Sequence, residues 1–220
     1  MDVSEAVLTR RSVRAFTEQP VDTAVLKRVL DQARWAPSGC NFQPWEATVL
    51  TGEPLRRVQE KMQNSEMQKP IEYSFSEPEK SPEHLARLKA VGAKMYGAAQ
   101  IAREDKQARG DFSQQNIVSF GAPVLLLNYI RRSFGPPQWS DVGMWLQTIM
   151  LLLRGEGLDS CPQEWMSLFA RDLKEEIGVS DEDYILFTGL AIGYRESDEA
   201  ANIWERERVP LEDHIKFVGF

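Results

Sequence analysis

The segment Asp141–Leu153, DVGMWLQTIMLLL, is apolar on nearly every face, and this constrains the fold more than any other stretch. A helix that is hydrophobic all round has to be buried all round, so the rest of the chain must supply layers on each side of it. The longest apolar runs, Val124–Leu127 and Ile149–Leu153, fall far short of the ~20 residues that span a bilayer, so no membrane partner is expected. Pro123–Ile130 and Tyr184–Ile192 are short apolar runs rich in β-branched and aromatic residues and read as buried strands. At 220 residues the chain can bury roughly 70% of its unfolded surface around one core.

Helices are predicted on either side of these strands. Val3, Val7 and Leu8 suggest an early helix that ends in the basic run Arg10–Arg14. A second helix has Asp22 as N-cap and Val25, Leu26, Val29, Leu30 and Ala33 on one stripe. It stops at Ala36-Pro37-Ser38-Gly39, where proline and glycine disfavour helical continuation. Ala47–Thr51 reads as a strand closed by Gly52. Residues 53–116 are more polar. Within them Met62–Ser81, with Pro70 and Pro78, reads as a mobile loop or lid. Helix resumes at Ser81-Pro82, a cap followed by proline at the first helical position, and continues through Leu85, Leu88, Val91 and Met95; Ser167–Ile177 forms another. The tail after Gly193 is polar and extended, with little to bury against locally. Its apolar end, Ile215–Phe220, is expected to embrace another subunit.

Acidic residues number 33 against 26 basic ones, a net charge of −7, which argues against a general nucleic-acid binder. Two cysteines (Cys40 and Cys161) without a CxxC and two histidines (His84 and His214) leave no zinc set. Reduced thiols and the absence of a signal-like N-terminal pattern predict a cytoplasmic protein.

Four segments carry possible chemistry. Arg10-Arg11-Ser12-Val13-Arg14 places three guanidiniums and a hydroxyl beside a helix end, suited to phosphate through charge-assisted hydrogen bonds; a solvated basic cluster is the simpler alternative. Ala36–Trp45 exposes turn amides with Asn41 and Gln43 nearby, a surface for a planar heterocycle, or else a helix-ending turn anchored by Trp45. Gly155-Glu156-Gly157-Leu158 through Gln163 lacks GxGxxG spacing, so it is no Rossmann site, and the chain has no P-loop. Cys161 within it has no histidine nearby in sequence, which favours a packed thiol over a nucleophile. Arg206-Glu207-Arg208-Val209-Pro210-Leu211 is a charged loop whose arginines could return to the same phosphate.

Taken in order, these segments resemble the nitroreductase family of flavoproteins. Its pattern of RRSxR, APSxxNxQPW, DxGxxxQ, GLxSCPQ-like turn and GY…R…PL tail is met by Arg10–Arg14, Ala36–Trp45, Asp141–Gln147, Gly157–Gln163 and Gly193-Tyr194 through Leu211. The likeness covers almost the whole chain. The middle segment, Lys89–Gly92 through Arg103–Lys106, looks like the branch that contains nitrobenzoate reductases. Cys40 is a small departure that leaves the flavin reading intact.

The resemblance implies an α+β fold, a mainly antiparallel sheet flanked by helices, in a single domain over 1–220 with a variable lid or helical segment about 53–116. It also implies a homodimer with an exchanged C-terminal tail. FMN is the implied cofactor and NADH or NADPH the electron donor, with a small electron-poor aromatic such as a nitroaromatic as acceptor and no metal. By this likeness Arg10, Arg11 and Ser12, joined by Arg206 or Arg208, face the FMN phosphate and ribityl chain. Arg14 approaches the N1–C2 carbonyl edge, where reduction places negative charge that a guanidinium stabilises. Pro37, Ser38, Gly39 and Asn41 meet the ring from the neighbouring subunit, while Gln147 and the turn Cys161-Pro162-Gln163 lie along its other side. The cofactor rather than any side chain carries the redox chemistry, in ping-pong fashion. Quinone or free-flavin reduction, reductive dehalogenation, and non-catalytic FMN binding are the alternatives on the same scaffold.

Overall fold

Val124–Arg131 lies at the centre of the molecule because both of its faces are apolar. Val124 and Leu126 point to one side, Leu125 and Leu127 to the other, and all four are at most 2% exposed. The computed structural model describes residues 1–219. In chain order it contains α1 (Val3–Thr9), α2 (Thr23–Ala33), β1 (Glu46–Thr51), α3 (Gly52–Gln63), α4 (Pro82–Ala98), α5 (Lys106–Gln114), β2 (Val124–Arg131), α6 (Pro136–Gly155), β3 (Asp159–Gln163), α7 (Ala170–Glu176), β4 (Tyr184–Gly193) and α8 (Ala200–Ile203). The four strands form one antiparallel sheet in the order β1-β2-β4-β3.

Each face of the sheet carries helices, as the α+β expectation requires. On one face α6 presents Val142, Trp145, Leu146, Ile149 and Leu153 to the sheet, with α2 packed alongside through Leu26, Val29 and Ala33. The all-round apolar character of α6 is thereby met from two sides. On the other face α3 and α7 cover the sheet with Leu55, Val58, Met62, Ala170 and Leu173. Asp22 caps α2 through its carboxylate, which accepts from the Ala24 amide at 2.7 Å, an interaction worth about 1 kcal/mol. Trp45 stacks on Trp145 with ring centroids 6.0 Å apart, anchoring the chain as it enters β1.

β4 carries an extra residue. Asn128 pairs with Thr188 and Tyr129 with Leu186, so Phe187 has no partner across the ladder. Such a bulge flips the in–out parity of the strand, and Leu186 joins one core while Ile185 and Phe187 pack against the other. The Phe187 carbonyl accepts the Tyr73 hydroxyl at 2.5 Å.

Several expectations need correction. Gly52–Gln63, at the start of the stretch expected to be lid or helix, is a helix, because Leu55, Val58 and Met62 recur at helical spacing beneath a charged surface that hides them. Much of Met62–Ser81 is fastened down rather than left as a lid. The Gln68 amide donates to the Leu168 carbonyl (2.8 Å), and Glu72, its side chain 4% exposed, bonds Lys174 Nζ (3.1 Å) and the Leu186 amide (3.0 Å). Ser81 stands at the N-cap of α4 with Pro82 first in the helix, as expected, but its hydroxyl makes no capping bond and pairs with His84 Nδ1 at 2.7 Å instead. Residues 164–169 form a 3₁₀ turn before α7 begins. Ser160–Gln163 belongs to a strand, not a turn, since it pairs in register with Gly189–Ile192. The tail does find local burial, through Ala201 and Asn202. Ile215 and Val218 near its end are exposed, and Phe220 lies outside the described residues. Among the described residues no helix is long and apolar enough to cross a membrane.

Candidate active site

After α1 the chain runs extended beside β3. The Val13 amide donates to the Ser160 carbonyl at 3.1 Å, and Ser12 bridges Ser160 in parallel. Extended backbone alternates its side chains, so Val13 and Phe16 enter a small core with Phe120, Ala122, Cys161 and Ala191. Ser12 and Arg14 therefore turn the other way, into a cavity of about 860 Å3 whose walls also include Arg10, Arg11, the tail from Trp204 to Pro210, and α4.

The tail is held against this segment by Asn202, which is fully buried. Its Oδ1 accepts from the Arg14 amide at 2.8 Å, and its Nδ2 donates to the carbonyls of Ala15 (2.8 Å) and Glu196 (2.9 Å). Arg11 donates to the Trp204 carbonyl and lies 5.6 Å from the Trp204 ring centroid. Arg206 gives both terminal nitrogens to the carbonyls of Leu8 and Arg10. Arg206 thus fastens the tail to the N-terminal segment, whereas among the described residues Arg208 donates only to the neighbouring Glu207 carbonyl, at 2.7 Å.

This arrangement concentrates positive charge. Burial, followed by repulsion from Arg206 and Arg208, lowers the Arg10 pKa; burial and Arg206 do the same to Arg11, and burial and Arg208 to Arg206. Guanidiniums nevertheless stay protonated, so the cluster is a set of cations held together by the fold. Behind it Asp159, 2% exposed, takes a bidentate bond from Arg195 (both 2.6 Å) and one from Arg154 at 3.0 Å. That pairing raises the Arg195 pKa and supplies Arg11 with a partial counter-charge. Glu207, the acidic side chain on the cavity wall, is already paired with Lys94. The wall therefore carries an excess of positive charge suited to an anion.

Arg14 also lines a smaller cavity of about 180 Å3, with Tyr96, Phe112, Asn116, Cys161 and Pro162. Of the β3 residues, Pro162 is exposed while Cys161 is 2% exposed. Burial pushes the Cys161 thiol up to about 11, outweighing the opposing pull of Arg14 and Arg10. A thiol so placed is protonated and inert near neutrality, which removes the nucleophile alternative. Gln163 turns inward, its Nε2 donating to both Asn116 oxygens at 3.0 Å, so its amide is not offered to either cavity.

A pH dependence follows. A thiol that ionises near 9 when unfolded and near 11 when folded leaves the unfolded chain with fewer bound protons between those values, so stability falls as pH rises through that window. The loss should reach about 1.4 kcal/mol per pH unit. Tyr73, raised to about 12 chiefly by burial, acts in the same direction at higher pH. Thermal melts from pH 8 to 11 should show the Cys161→Ala variant losing less stability than the parent over this range; parallel curves would contradict the assignment.

Pro37, Ser38, Gly39, Asn41 and Gln147 do not line either cavity. Their turn is tied to α6 by the Gly39 amide, which donates to Asp141 Oδ2 at 3.1 Å, and closed by the Gln43 amide on Ser38 Oγ at 3.0 Å. Cys40, Asn41 and Gln43 all hold left-handed backbone, with φ of 51°, 57° and 49°. Such conformations cost about 1–3 kcal/mol each and cluster at functional sites. Within one chain the turn and the arginine cavity remain separate, so a single copy holds only part of the constellation read from the sequence.

Sequence reasoning missed Asn202, Trp204 and Asp159, which carry no motif of their own. It also missed the α4 stripe Arg87, Val91 and Lys94 on the cavity wall; their i, i+4, i+7 spacing was the available signal.

A sequence profile described as the nitroreductase family matches residues 7–194. The chain belongs to the nitroreductase family. It is 32% identical to a 4-nitrobenzoate reductase of Pseudomonas putida, over 100% of this chain and 96% of that protein. It is 33% identical to a chloronitrobenzene nitroreductase of Comamonas testosteroni, over 98% and 96% respectively. Among solved structures, the FMN and NADPH-dependent nitroreductase NfnB from Sphigopyxis sp. strain HMH superposes with a TM-score of 0.94 at 44% identity, covering 100% of both chains. For this nitroreductase-family chain the arginine cavity coincides with the RRSxR motif and the tail that carried the resemblance.

Proposed function

We propose that the protein is an FMN-dependent NAD(P)H oxidoreductase that reduces nitroaromatic or similarly electron-poor aromatic compounds. The observation that carries the reading is the cavity where Arg10, Arg11, Ser12, Arg14, Arg206 and Arg208 converge with no free acidic partner on its wall. A phosphate answers that charge, and a volume of about 860 Å3 is within the range of sites that take cofactor-sized ligands. FMN, when bound, supplies two-electron transfer from a nicotinamide donor to the acceptor.

The chain's own contribution is binding and electrostatics. Arg10, Arg11 and Ser12 would hold the phosphate by charge-assisted hydrogen bonds, with Arg208 completing the set and Arg206 fixing the loop that carries them. Arg14 sits between the two cavities, its amide locked by Asn202, where its cation would stabilise a ring edge that gains negative charge. Leu88 and Val91 of α4 and Pro210 of the tail give the cavity apolar walls against which a ring or base could pack.

A homodimer belongs to the same proposal. Val3, Val7, Leu8, Trp35, Phe42 and Met144 are exposed apolar side chains that a second copy could cover. A partner covering them would bring its Pro37–Asn41 turn toward the ring, and that turn lines neither cavity within this chain. Two free cysteines support a reducing, cytoplasmic setting.

Purified protein should be yellow, and anaerobic NAD(P)H should bleach its flavin absorbance. Colour that NAD(P)H cannot bleach would favour a non-catalytic binder, and a panel of nitroaromatics, quinones, free flavin and halophenols would rank the acceptors. Arg14→Glu is expected to keep its fold and oligomeric state while flavin reduction falls by at least roughly 10²-fold. An unchanged bleaching rate would remove Arg14 from its assigned place.

A further inference from the structure

The main cavity holds more positive charge than one phosphate answers. Six arginines and Lys94 line it against the single carboxylate of Glu207. Once Arg10, Arg11 and Arg208 face the FMN phosphate and Arg14 the ring edge, with Arg206 bound to backbone carbonyls and Lys94 to Glu207, Arg87 is left. It projects from the middle of α4, is half-buried, and makes no ion pair or side-chain hydrogen bond among the described residues. Leu88 and Val91, 53% and 45% exposed, lie beside it on the same helix and also line the cavity. A lone guanidinium next to an apolar ledge, across a cavity from a phosphate cluster, matches a purine nucleotide that carries one phosphate more than the pyrophosphate linkage.

We infer that Arg87 recognises the 2′-phosphate of NADPH, with Leu88 and Val91 receiving the adenosine, so that this chain selects NADPH over NADH. The inference rests on the proposed FMN and NAD(P)H reading and adds the residue that sets donor choice. Arg87 is a specificity residue, remote from the reacting atoms. A guanidinium presents two parallel donors in a fixed plane to one phosphate, whereas a lysine offers a point charge without that fixed geometry. NADH offers Arg87 nothing in return for its desolvation.

The test uses FMN-loaded protein and two fragments, adenosine 2′,5′-bisphosphate and adenosine 5′-monophosphate, with affinities measured by isothermal titration calorimetry. The parent should bind the bisphosphate at least roughly tenfold more tightly, the scale of one charge-assisted contact. Arg87→Ala should shrink that gap to under about threefold, and Arg87→Lys should restore part of it. Arg208→Ala should leave the gap intact while weakening FMN. The inference is overturned if the parent shows no gap, if the gap survives Arg87→Ala, if Arg208→Ala abolishes it instead, or if Arg87→Ala sheds FMN. Failure of the underlying reading looks different: the parent protein takes up no FMN in a separate titration.

Discussion

Arg10→Glu should purify as a folded protein that has lost FMN. The substitution removes one charge-assisted contact to the phosphate and places a repelling carboxylate in its stead. Each such contact is worth about 1.5–3 kcal/mol, so the reversal should weaken FMN by roughly 10²- to 10⁴-fold. Stability should move the other way. Arg10 is crowded by Arg206 and Arg208, whose repulsion together with burial depresses its pKa, and a carboxylate there would pair with both. Melting temperature of the apoprotein should therefore hold or rise while the FMN dissociation constant climbs, the opposition between stability and function expected at a strained binding site. Arg10→Gln should fall between the two. FMN affinity in the parent should also weaken with added salt, because half-exposed charges are screened. Retention of FMN by Arg10→Glu at parental affinity would refute the phosphate assignment.

Lys174→Met should produce the largest loss of stability. Lys174 is completely buried, yet its ammonium is satisfied three times, by Asp181 (2.6 Å), the Tyr184 carbonyl (2.7 Å) and Glu72 (3.1 Å). Removing the cation strands the buried Glu72 carboxylate with Arg132 (2.9 Å) and the Leu186 amide (3.0 Å) as its remaining partners. Breaking one side of a buried pair costs about 3–5 kcal/mol, and the residual partners of Glu72 place this case near the lower bound. The corresponding fall in melting temperature is roughly 6–12 °C for a chain of this size. The double variant Glu72→Gln/Lys174→Met should recover part of the loss, since a neutral amide needs no counter-ion. FMN affinity should be nearly unchanged, because this cluster shares no residue with the arginine cavity. A loss below about 1 kcal/mol would show that the pair contributes little beyond filling space.

Where the chain's pattern agrees with its environment, the fold was legible. Asp22 followed by an apolar stripe became α2, and the doubly apolar run at 124–131 became the central strand. The readings failed where local pattern and tertiary setting part company. α3 hid beneath its charged face, its three buried residues too sparse to show through. Ser160–Gln163 contains a proline and reads as a turn, yet it lies at the edge of the sheet, where a missing amide is tolerated. Met62–Ser81 has the composition of a lid, but Glu72 and Tyr73 find buried partners more than a hundred residues away, which no local window can contain.

The site divides in the same way. Arg10–Arg14, Pro37–Asn41, Cys161–Gln163 and the arginines of the tail are visible as residue types at characteristic spacing, because phosphate and flavin require guanidiniums, hydroxyls and turn amides wherever the chain folds. The family and the sheet-and-helix class were therefore set by sequence alone, and an anionic cofactor was the expectation that followed from the resemblance. Tertiary structure decided which of those groups are free to act: that Arg206 is taken up by the carbonyls of Leu8 and Arg10, that Gln163 is held by Asn116, and that Cys161 is too buried to ionise near neutrality; it also added Arg87, which no motif marked, to the cavity wall. The reason is that residue identity specifies what a side chain can donate or accept, whereas its availability depends on partners distant in sequence, and only the folded chain brings those partners within reach.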